Sequence, residues 1–266
     1  MPQLSLIIAV YKNIAALDLI LKGLEQQSFK DFEVIIAEDN EGGEMRDFIK
    51  EAQNQYFFTI KHISQPDNGF QKDKALNKSV AVSAANYLVF IDGDCIPHKH
   101  FLKAHFENKE TGFALFGRRV MLSETLTKHL YLDKKLDKLN FINLIKSQSK
   151  RLDSAFYLPF LPNFIQNTTG IWGCNWSIHK KSIIAVNGFD EDYILPGYGE
   201  DTDIEWRLFK AGIRLKKIKN KAIQYHLHHK ENYSDTLTNE KIMLKKQAEG
   251  NFFCENGLSC IFDEGV

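Results

Sequence analysis

The stretch Tyr87-Leu-Val-Phe-Ile-Asp-Gly-Asp94 decides the fold, because five apolar residues run directly into two carboxylates separated by one glycine. A short continuous apolar run is typical of a strand buried on both faces of a parallel sheet. Ligands of such sheets bind beyond the carboxyl ends of the strands. The sequence therefore predicts a ligand site at Asp92 and Asp94, where Mg²⁺ or Mn²⁺ would relieve the repulsion between the carboxylates. A solvated surface turn is the alternative.

The chain before this strand alternates between strand-like and helix-like patterns. Three apolar runs predict strands, and three segments with apolar residues three or four apart predict helices. The runs are residues 4–10, 32–37 and 56–63, and the helical segments are residues 14–27, 44–53 and 72–84. This alternation predicts an α/β fold with a mostly parallel central sheet and helices on both faces.

The composition is that of an ordinary globular protein. The chain has 266 residues, of which 44% are hydrophobic, and its 34 basic residues balance its 34 acidic ones. These values exclude the collagen-like, disordered and disulfide-scaffold classes. A chain without net charge has no general attraction to nucleic acid, so we expect no nucleic-acid partner.

Cysteine spacing and the length of the apolar runs indicate the compartment. None of the four cysteines (Cys95, Cys174, Cys254 and Cys260) forms a CxxC pair, so we expect reduced thiols and no thiolate zinc site. The N-terminus lacks the features of a signal peptide, and no window approaches the ~20 apolar residues of a membrane span. We therefore expect a cytoplasmic protein.

The second half of the chain is less regular. Residues 126–152 carry leucines at helical spacing with lysines between them. That segment is either a solvated helix packed on the domain or a basic amphipathic patch that rests on a membrane surface or a partner. The other predicted elements are strands within 113–122, over 213–218 and over 222–226, and helices over 180–186, over 202–211 and within 231–249.

Two further polar clusters follow. In Gly199-Glu-Asp-Thr-Asp203 the acids either complement the dipole of a helix or include a general base on a loop. In Tyr225-His-Leu-His-His229, His226 and His228 would point the same way on a strand, whereas His226 and His229 would converge in a turn. In a chain with an aspartate pair these histidines favour metal ligation, and the mixed donor set suits Mn²⁺ better than Ca²⁺.

These motifs, in this order, resemble a known family. Similarity to family-2 glycosyltransferases of the GT-A fold is carried by Leu4-Ser-Leu-Ile-Ile-Ala-Val-Tyr-Lys-Asn13, Glu38-Asp39 and Asp92-Gly-Asp94. Similarity to the C-terminal region of the β-1,4-galactosyltransferase-like subset is carried by Gly173-Cys-Asn-Trp-Ser177, Asn187-Gly-Phe-Asp190 and Gly199-Glu-Asp-Thr-Asp203. The resemblance covers about residues 3–112 and 168–230.

The resemblance implies a single GT-A domain, with a Rossmann-like sheet, made of two halves. Residues 1–112 would bind the nucleotide-sugar, and residues 113–266 would bind the acceptor and carry catalysis. Within the second half, residues 126–167 would be a variable helical insertion. Because residues 113–167 match no motif of the family, the acceptor stays open, and so does the oligomeric state.

The resemblance also implies which residues bind the donor. Asp39 matches the acid that accepts the N3–H of uracil, and Glu38 stands where the family usually has Asp. Tyr11 would lie beside the base, or would only pack the first loop. Lys74 and Asn77 would contact the donor, or would belong to a solvated helix face.

Metal ligands and catalytic residues are implied in the same way. Asp92 would contact the ribose or the metal, and Asp94 would ligate a Mn²⁺ or Mg²⁺ that bridges the diphosphate. His229 matches a metal ligand, and His226 stands where a second one lies, although the choice among His226, His228 and His229 stays open.

The remaining implied residues belong to the acceptor side. Asp201 matches the catalytic base, and Glu200 would bind acceptor hydroxyls. Trp172 and Asn175 would line the sugar or acceptor pocket, with a core role as the alternative for Trp172.

The resemblance implies an inverting, metal-dependent glycosyltransferase. It would use a nucleotide-diphospho-sugar, expected to be a UDP-sugar, and a hydroxyl of a glycan or lipid-linked acceptor in bacterial cell-surface polysaccharide or lipopolysaccharide synthesis. The 126–152 segment would then contact the inner face of the membrane. The alternatives are a metal-dependent nucleotidyltransferase, against which the lack of a glycine-rich loop at Tyr11-Lys-Asn13 counts, and a catalytically silent sugar-binding domain.

Overall fold

The first half of the chain alternates strands and helices as predicted up to β4, and it adds a short strand and a short helix that were not predicted. The computed structural model describes residues 1–166, 170–197, 199–230 and 237–263. The elements of the first half are β1 (Leu4–Val10), α1 (Ile14–Glu25), β2 (Phe32–Glu38), α2 (Gly43–Gln55), β3 (Thr59–Ile63), α3 (Lys72–Val82), β4 (Tyr87–Asp92), β5 (Cys95–Pro97) and α4 (Phe101–Glu107).

The second half supplies the remaining strands and shorter helices. Its elements are β6 (Phe113–Phe116), β7 (Arg118–Met121), α5 (Glu124–Asp133), α6 (Phe141–Lys146), β8 (Phe164–Gln166), β9 (Trp176–His179), α7 (Lys180–Ile184), α8 (Glu200–Lys210), β10 (Arg214–Lys217), β11 (Ile223–His226), α9 (Leu237–Glu249) and α10 (Leu258–Asp263). Two 3₁₀ turns, at Leu136–Lys138 and Leu152–Ser154, lie within the insertion. The predicted tail helix begins at Leu237, and its predicted residues 231–236 lie outside the described residues, as does residue 167 of the insertion.

One sheet joins the two halves. Its strand order is β3-β2-β1-β4-β9-β6-β10-β8. Strands β1 to β4 are mutually parallel, β9 enters antiparallel between β4 and β6, and β8 is an antiparallel edge strand. A second, three-stranded sheet has the order β5-β11-β7 and brings the end of β11 beside the end of β4. These observations confirm the predicted α/β fold with a large central sheet.

Alternate residues of the strands build a core on each face of the sheet. Leu6 and Ile8 of β1 pack in a cluster with α1 and α2, whereas Ile7 packs in a second cluster with α3 and α8. All three side chains are fully buried. Full burial of one such side chain stabilises the fold by about 1.5–3 kcal/mol relative to exposure.

The insertion is less helical than its leucine spacing predicts. Helix α5 ends where Lys134 adopts a left-handed conformation with φ of 53°, and Gln148 and Arg151 do the same with φ of 61° and 57°. A left-handed residue ends an α-helix because its carbonyl no longer points along the helix axis. Spacing alone could not reveal these breaks, since lysine, glutamine and arginine are ordinary helix formers. No helix of the described residues is long and apolar enough to cross a bilayer.

Helix α8 starts earlier than the predicted residue 202. Gly199 has φ of 106°, and its carbonyl accepts the first helical hydrogen bond from the Asp203 amide at 2.7 Å. Glu200 and Asp201 are therefore the first helical residues and not loop residues. Residue 198 of the predicted 196–199 loop lies outside the described residues.

Candidate active site

The carboxyl ends of β1, β2 and β4 open into a cavity of about 600 Å³. Residues of both halves of the chain line it, namely Ala9, Val10, Tyr11, Asn13, Ala37, Asp39, Gly69, Phe70, Lys72, Asp92, Gly93, Asp94, Tyr131, Pro196, Leu227, His228 and His229. The cavity thus lies where parallel sheets bind ligands, and it is large enough for a nucleotide.

Asp39 lies at the end of β2, buried and held in one orientation. Its Oδ1 accepts a hydrogen bond from Gln65 Nε2 at 2.7 Å, and its Oδ2 accepts one from the Gln71 amide at 2.7 Å. A carboxylate has about four acceptor positions, so a further N–H donor in the cavity can still bond to it. Tyr11, by contrast, is 54% exposed, and its hydroxyl donates to Asp67 at 3.1 Å.

Asp92 lies between two cations at the end of β4. Lys72 Nζ is 3.0 Å from its Oδ1, and Arg119 Nη1 is 3.8 Å from its Oδ2. Gly93 lets the strand end approach β1, because an added Cβ would lie 2.6 Å from the Ala9 carbonyl oxygen. The glycine between the aspartates is thus explained by packing against the backbone as well as by its place in the cavity wall.

Asp94 and two histidines form a compact cluster. Asp94 Oδ2 is 3.2 Å from His226 Nε2 and 3.0 Å from His229 Nε2, and the two imidazole nitrogens are 3.3 Å apart. Hydrogen bonding to Asp94 raises the pKa of His229 to about 9. The backbone amide of His228 bonds to Thr127 Oγ1, and His228 is not one of the three residues of the cluster.

The donor set of this cluster fits a divalent metal ion. One carboxylate oxygen and two imidazole nitrogens lie within 4.8 Å of one another. Asp94 follows the end of β4, His226 is the last residue of β11, and His229 lies three residues beyond it. Two imidazoles and a carboxylate suit first-row ions such as Mn²⁺. Lone pairs that face one another at these distances repel unless a proton or a cation lies between them.

Asp201 and Glu200 begin α8 at the same side of the site. Asp201 Oδ2 accepts a hydrogen bond from the Gly173 amide at 2.7 Å. An added Cβ on Gly173 would lie 2.8 Å from Asp201 Oδ1 and 2.9 Å from Lys72 Nζ. The side chains of Asp201 and Lys72 therefore both lie against this glycine. Burial raises the pKa of Asp201, although the charge of Lys72 opposes the rise. Burial also raises the pKa of Glu200, and the charge of Asp201 adds to the effect.

Trp172 precedes this glycine and is surrounded by three arginines. The guanidinium carbons of Arg118, Arg151 and Arg119 are 4.4, 4.8 and 5.9 Å from its ring centroid. The indole is half-buried, so it is not simply a core residue. We refer below to Arg118, Arg119 and Arg151 as the arginine cluster.

Several predicted site residues do not line the cavity, namely Lys74, Asn77, Trp172, Asn175, Glu200, Asp201 and His226. Asn77 is fully buried, and its amide bonds to the backbone of Phe189 and to Glu191, which holds the turn before α8. Asn175 is buried too, with hydrogen bonds to the Arg118 and Ala222 carbonyls and to His105. Lys74 is half-buried on α3 and lies outside the cavity wall. The amides of both asparagines thus bind other parts of the chain, and their contact with a ligand stays a prediction.

Lys72 and the arginine cluster were missed by sequence reasoning. Lys72 and Lys74 both lie in the first turn of α3, and spacing does not show which of them turns towards the end of β4. Arg118 and Arg119 belong to a strand that matches no family motif, and Arg151 lies within the insertion, directly before its second 3₁₀ turn. The sequence feature that could have indicated the cluster is the pair of arginines that begins strand β7.

The chain matches two family models. The model described as glycosyl transferase family 2 matches residues 5–183. The model described as the N-terminal domain of galactosyltransferase matches residues 161–230. Together they span the cavity, the histidine-containing cluster and the start of α8.

The proteins that are similar to the chain include two curated relatives and a solved structure. The hyaluronan synthase of Pasteurella multocida is 23% identical over 262 residues, which cover 91% of this chain and 26% of the relative. The GalNAc(5)-diNAcBac-PP-undecaprenol beta-1,3-glucosyltransferase of Campylobacter jejuni is 21% identical over 215 residues, which cover 79% of this chain and 60% of the relative. GalNAc-T7, solved with UDP, GalNAc and Mn²⁺, superposes with a TM-score of 0.67 at 11% identity, over 92% of this chain and 48% of that one. The chain therefore spans about a quarter of the length of the hyaluronan synthase and 60% of the length of the glucosyltransferase.

Proposed function

Since the chain belongs to glycosyl transferase family 2 and has the GT-A fold, we propose that it is an inverting glycosyltransferase that moves a sugar from a UDP-sugar to a hydroxyl of a glycan or lipid-linked glycan. Bacterial cell-surface polysaccharide or lipopolysaccharide synthesis would use this product. One observation carries the proposal: Asp94, His226 and His229 converge at the cavity that Asp39 also lines.

The donor would occupy the cavity with its base against β2. The oriented carboxylate of Asp39 can accept the N3–H of uracil, which favours UDP over carriers whose base has no such donor. Tyr11 lies in the cavity wall and offers an aromatic face to the base. UDP bound to GalNAc-T7 supports this choice of carrier.

The residues of the metal cluster would hold Mn²⁺ or Mg²⁺. Asp94, His226 and His229 would supply the ligands, with Asp92 near enough to contact the ribose or the same ion. When bound, the ion neutralises negative charge on the diphosphate leaving group. The Mn²⁺ present with GalNAc-T7 supports such a site.

Asp201 would be the general base. It would take the proton of an acceptor hydroxyl, whose oxygen bonds to the anomeric carbon while the bond from that carbon to the diphosphate breaks. The Gly173 amide fixes the orientation of this carboxylate, and Lys72 keeps a positive charge beside it. Glu200, buried with an Oε2 that has no partner among the described residues, would accept a second hydroxyl of the acceptor.

Incubation with a panel of UDP-sugars tests the donor and the reaction class. We expect the purified protein, with Mn²⁺, to release UDP slowly from one or two sugars of the panel by hydrolysis. A metal-dependent nucleotidyltransferase would instead release pyrophosphate from UTP in the presence of a sugar 1-phosphate, and a silent binding domain would release nothing. Either of these two results, with a correctly folded protein, would contradict the proposal.

An exposed apolar face on the insertion would rest on the cytoplasmic face of the membrane. We define this face by six residues, which are 39–78% exposed: Phe141, Ile142, Ile145, Phe156, Phe160 and Phe164. Ile165, the next residue of β8, projects to the other side of the sheet. The rings of Phe141 and Phe156 touch, with centroids 4.6 Å apart, and Lys217 lies opposite Phe164 in the sheet. Apolar side chains beside lysines suit the surface of an anionic bilayer, and the undecaprenol-linked substrate named for the relative from C. jejuni supports a site near lipid.

Vesicle flotation tests the membrane contact. The double variant Ile142→Ser/Phe160→Ser is expected to bind phosphatidylglycerol-containing vesicles at least about tenfold more weakly, because two large apolar side chains no longer enter the interface. Leu244→Ser on α9, which removes an equally exposed apolar side chain elsewhere, is the matched control. Equal binding of all three proteins would refute the contact.

A further inference from the structure

The arginine cluster places three positive charges next to the candidate base. Trp172, which the three guanidinium groups surround, is followed directly by Gly173, whose amide binds Asp201. The arginines are therefore near an acceptor whose hydroxyl reaches Asp201. The cluster lies on the acceptor side of the site proposed above.

The charge of the cluster is only partly balanced. Arg119 faces Asp92 at 3.8 Å. Arg118 donates hydrogen bonds to the carbonyls of Gly117 and Gly170, at 2.9 and 2.7 Å. These carbonyls carry no net charge and do not balance the guanidinium group. Among the described residues, neither Arg118 nor Arg151 forms an ion pair with a carboxylate. The indole offers each cation a weak attraction but carries no net negative charge.

Neighbouring cations add to this excess. Burial lowers the pKa of Arg118, and the positive charge of Arg151 lowers it further, whereas the nearby carboxylate of Glu205 opposes the fall. Burial likewise lowers the pKa of Lys217 on β10, and Arg118 adds to that effect. Like charges so close to one another destabilise the site unless an anion joins them, and a guanidinium group binds carboxylate or phosphate through two parallel hydrogen bonds.

We propose that the arginine cluster binds an anionic group of the acceptor, so that this enzyme glycosylates a negatively charged glycan or carrier in preference to a neutral one. The inference rests on the proposed function, because it assumes that Asp201 marks the acceptor side. The anionic group is a uronic acid carboxylate of the glycan or the diphosphate of a lipid carrier. Both present paired oxygens to a guanidinium group.

Binding of three probes, measured calorimetrically in the presence of Mn²⁺ and UDP, tests the inference. The probes are a tetrasaccharide of alternating glucuronic acid and N-acetylglucosamine, farnesyl-diphospho-N-acetylglucosamine, and neutral chitotetraose. We expect at least one anionic probe to bind about tenfold or more tightly than chitotetraose. The anionic probe that binds more tightly shows whether the cluster recognises a uronic acid carboxylate or a lipid diphosphate.

The variant Arg151→Gln is the sharpest change, because Arg151 is exposed and its side chain makes no hydrogen bond or ion pair among the described residues. We expect the variant to bind the preferred anionic probe about tenfold more weakly, to bind chitotetraose as the wild type does, and to keep its affinity for UDP within about twofold. Arg151→Lys should recover part of the loss. Lys150→Gln removes the neighbouring exposed charge and is the matched control.

Two results would overturn the inference. One is wild-type protein that shows no preference for either anionic probe over chitotetraose. The other is an Arg151→Gln variant that loses affinity for UDP rather than for the anionic probe, which would place the cluster on the donor diphosphate. UDP binding and the hydrolysis of UDP-sugars report on the proposed function separately, so its failure is distinguishable from the failure of this inference.

Discussion

Replacement of Asp201 by Asn is expected to lower the turnover of sugar transfer by about 10²–10⁴-fold, the usual contribution of a general base. The amide keeps the shape of the carboxylate and can still accept the hydrogen bond that the Gly173 amide donates at 2.7 Å. It cannot take a proton from the acceptor. Affinity for the UDP-sugar should stay within about threefold, because the groups that face the base and the diphosphate are untouched. Single-turnover kinetics and calorimetric donor titration measure the two quantities separately.

Two further variants decide whether the loss belongs to Asp201 itself. Asp47→Asn, on the exposed surface of α2, makes the same chemical change away from the cavity and should leave turnover unchanged. Glu200→Gln should raise the KM for the acceptor more than it lowers turnover, since Glu200 is proposed to bind and not to deprotonate. Near-normal turnover of Asp201→Asn would exclude Asp201 as the base and leave Glu200 as the next candidate.

The second large effect concerns the metal cluster. EDTA should reduce transfer to background, and added Mn²⁺ should restore it, because the ion neutralises charge on the leaving diphosphate. Asp94→Asn replaces the carboxylate that lies 3.0 and 3.2 Å from His229 and His226 by a neutral amide with a single oxygen, and we expect a loss of at least about 100-fold that added Mn²⁺ does not restore. Titration of Mn²⁺, followed by the electron paramagnetic resonance of the free ion, gives the affinity without any activity assay.

Replacement of single histidines shows which of them bind the metal ion. His226→Ala should weaken Mn²⁺ binding about 10–100-fold, whereas His129→Ala, an exposed histidine on α5, should have no effect. Full transfer activity in EDTA, or unchanged Mn²⁺ affinity of Asp94→Asn, would be incompatible with this assignment of the cluster.

The parallel part of the fold could be predicted from the sequence because each of its strands and helices has a pattern within its own residues. Strand β1 begins and ends at the residues that the apolar run predicts, and helices α1, α2 and α3 differ from prediction by a few residues at their ends. The alternation of apolar runs with a period of 3.6 is enough to predict such a sheet. The short elements β5 and α4 carry no such pattern and were not predicted. Asp39 and Asp92 line the cavity, as their positions after β2 and β4 predict, because every parallel strand ends at the same edge.

The contacts that sequence could not reveal are long-range. Asn77 hydrogen-bonds to Phe189 far along the chain, so its burial depends on a turn that α3 does not contain. Asn175 is satisfied by carbonyls of β7 and of the residue before β11. Helical spacing gives no indication of such partners, which is why both residues resemble ligand-binding polar residues until the fold is known.

Lys72 shows the complementary case, in which a functional candidate resembles a surface residue. Lysines in a first helical turn are usually solvated, yet Lys72 Nζ is 3.0 Å from Asp92 and close to Asp201. Burial by itself would lower the pKa of Lys72, but the surrounding carboxylates outweigh it and raise the pKa well above the usual range. Only the meeting of α3, β4 and α8 produces that environment.

The position of β9 bears on the order in which the molecule assembles. Its residues Trp176–His179 pair with Tyr87–Phe90 of β4 on one side and with β6 on the other. Ribosomes deliver β4 long before β9, so a nascent chain carries an unpaired apolar strand edge until the later residues emerge. Contacts between residues so distant in sequence raise the contact order and slow folding. Residues 1–112 are therefore not an exchangeable module, because a strand from the other half completes their sheet.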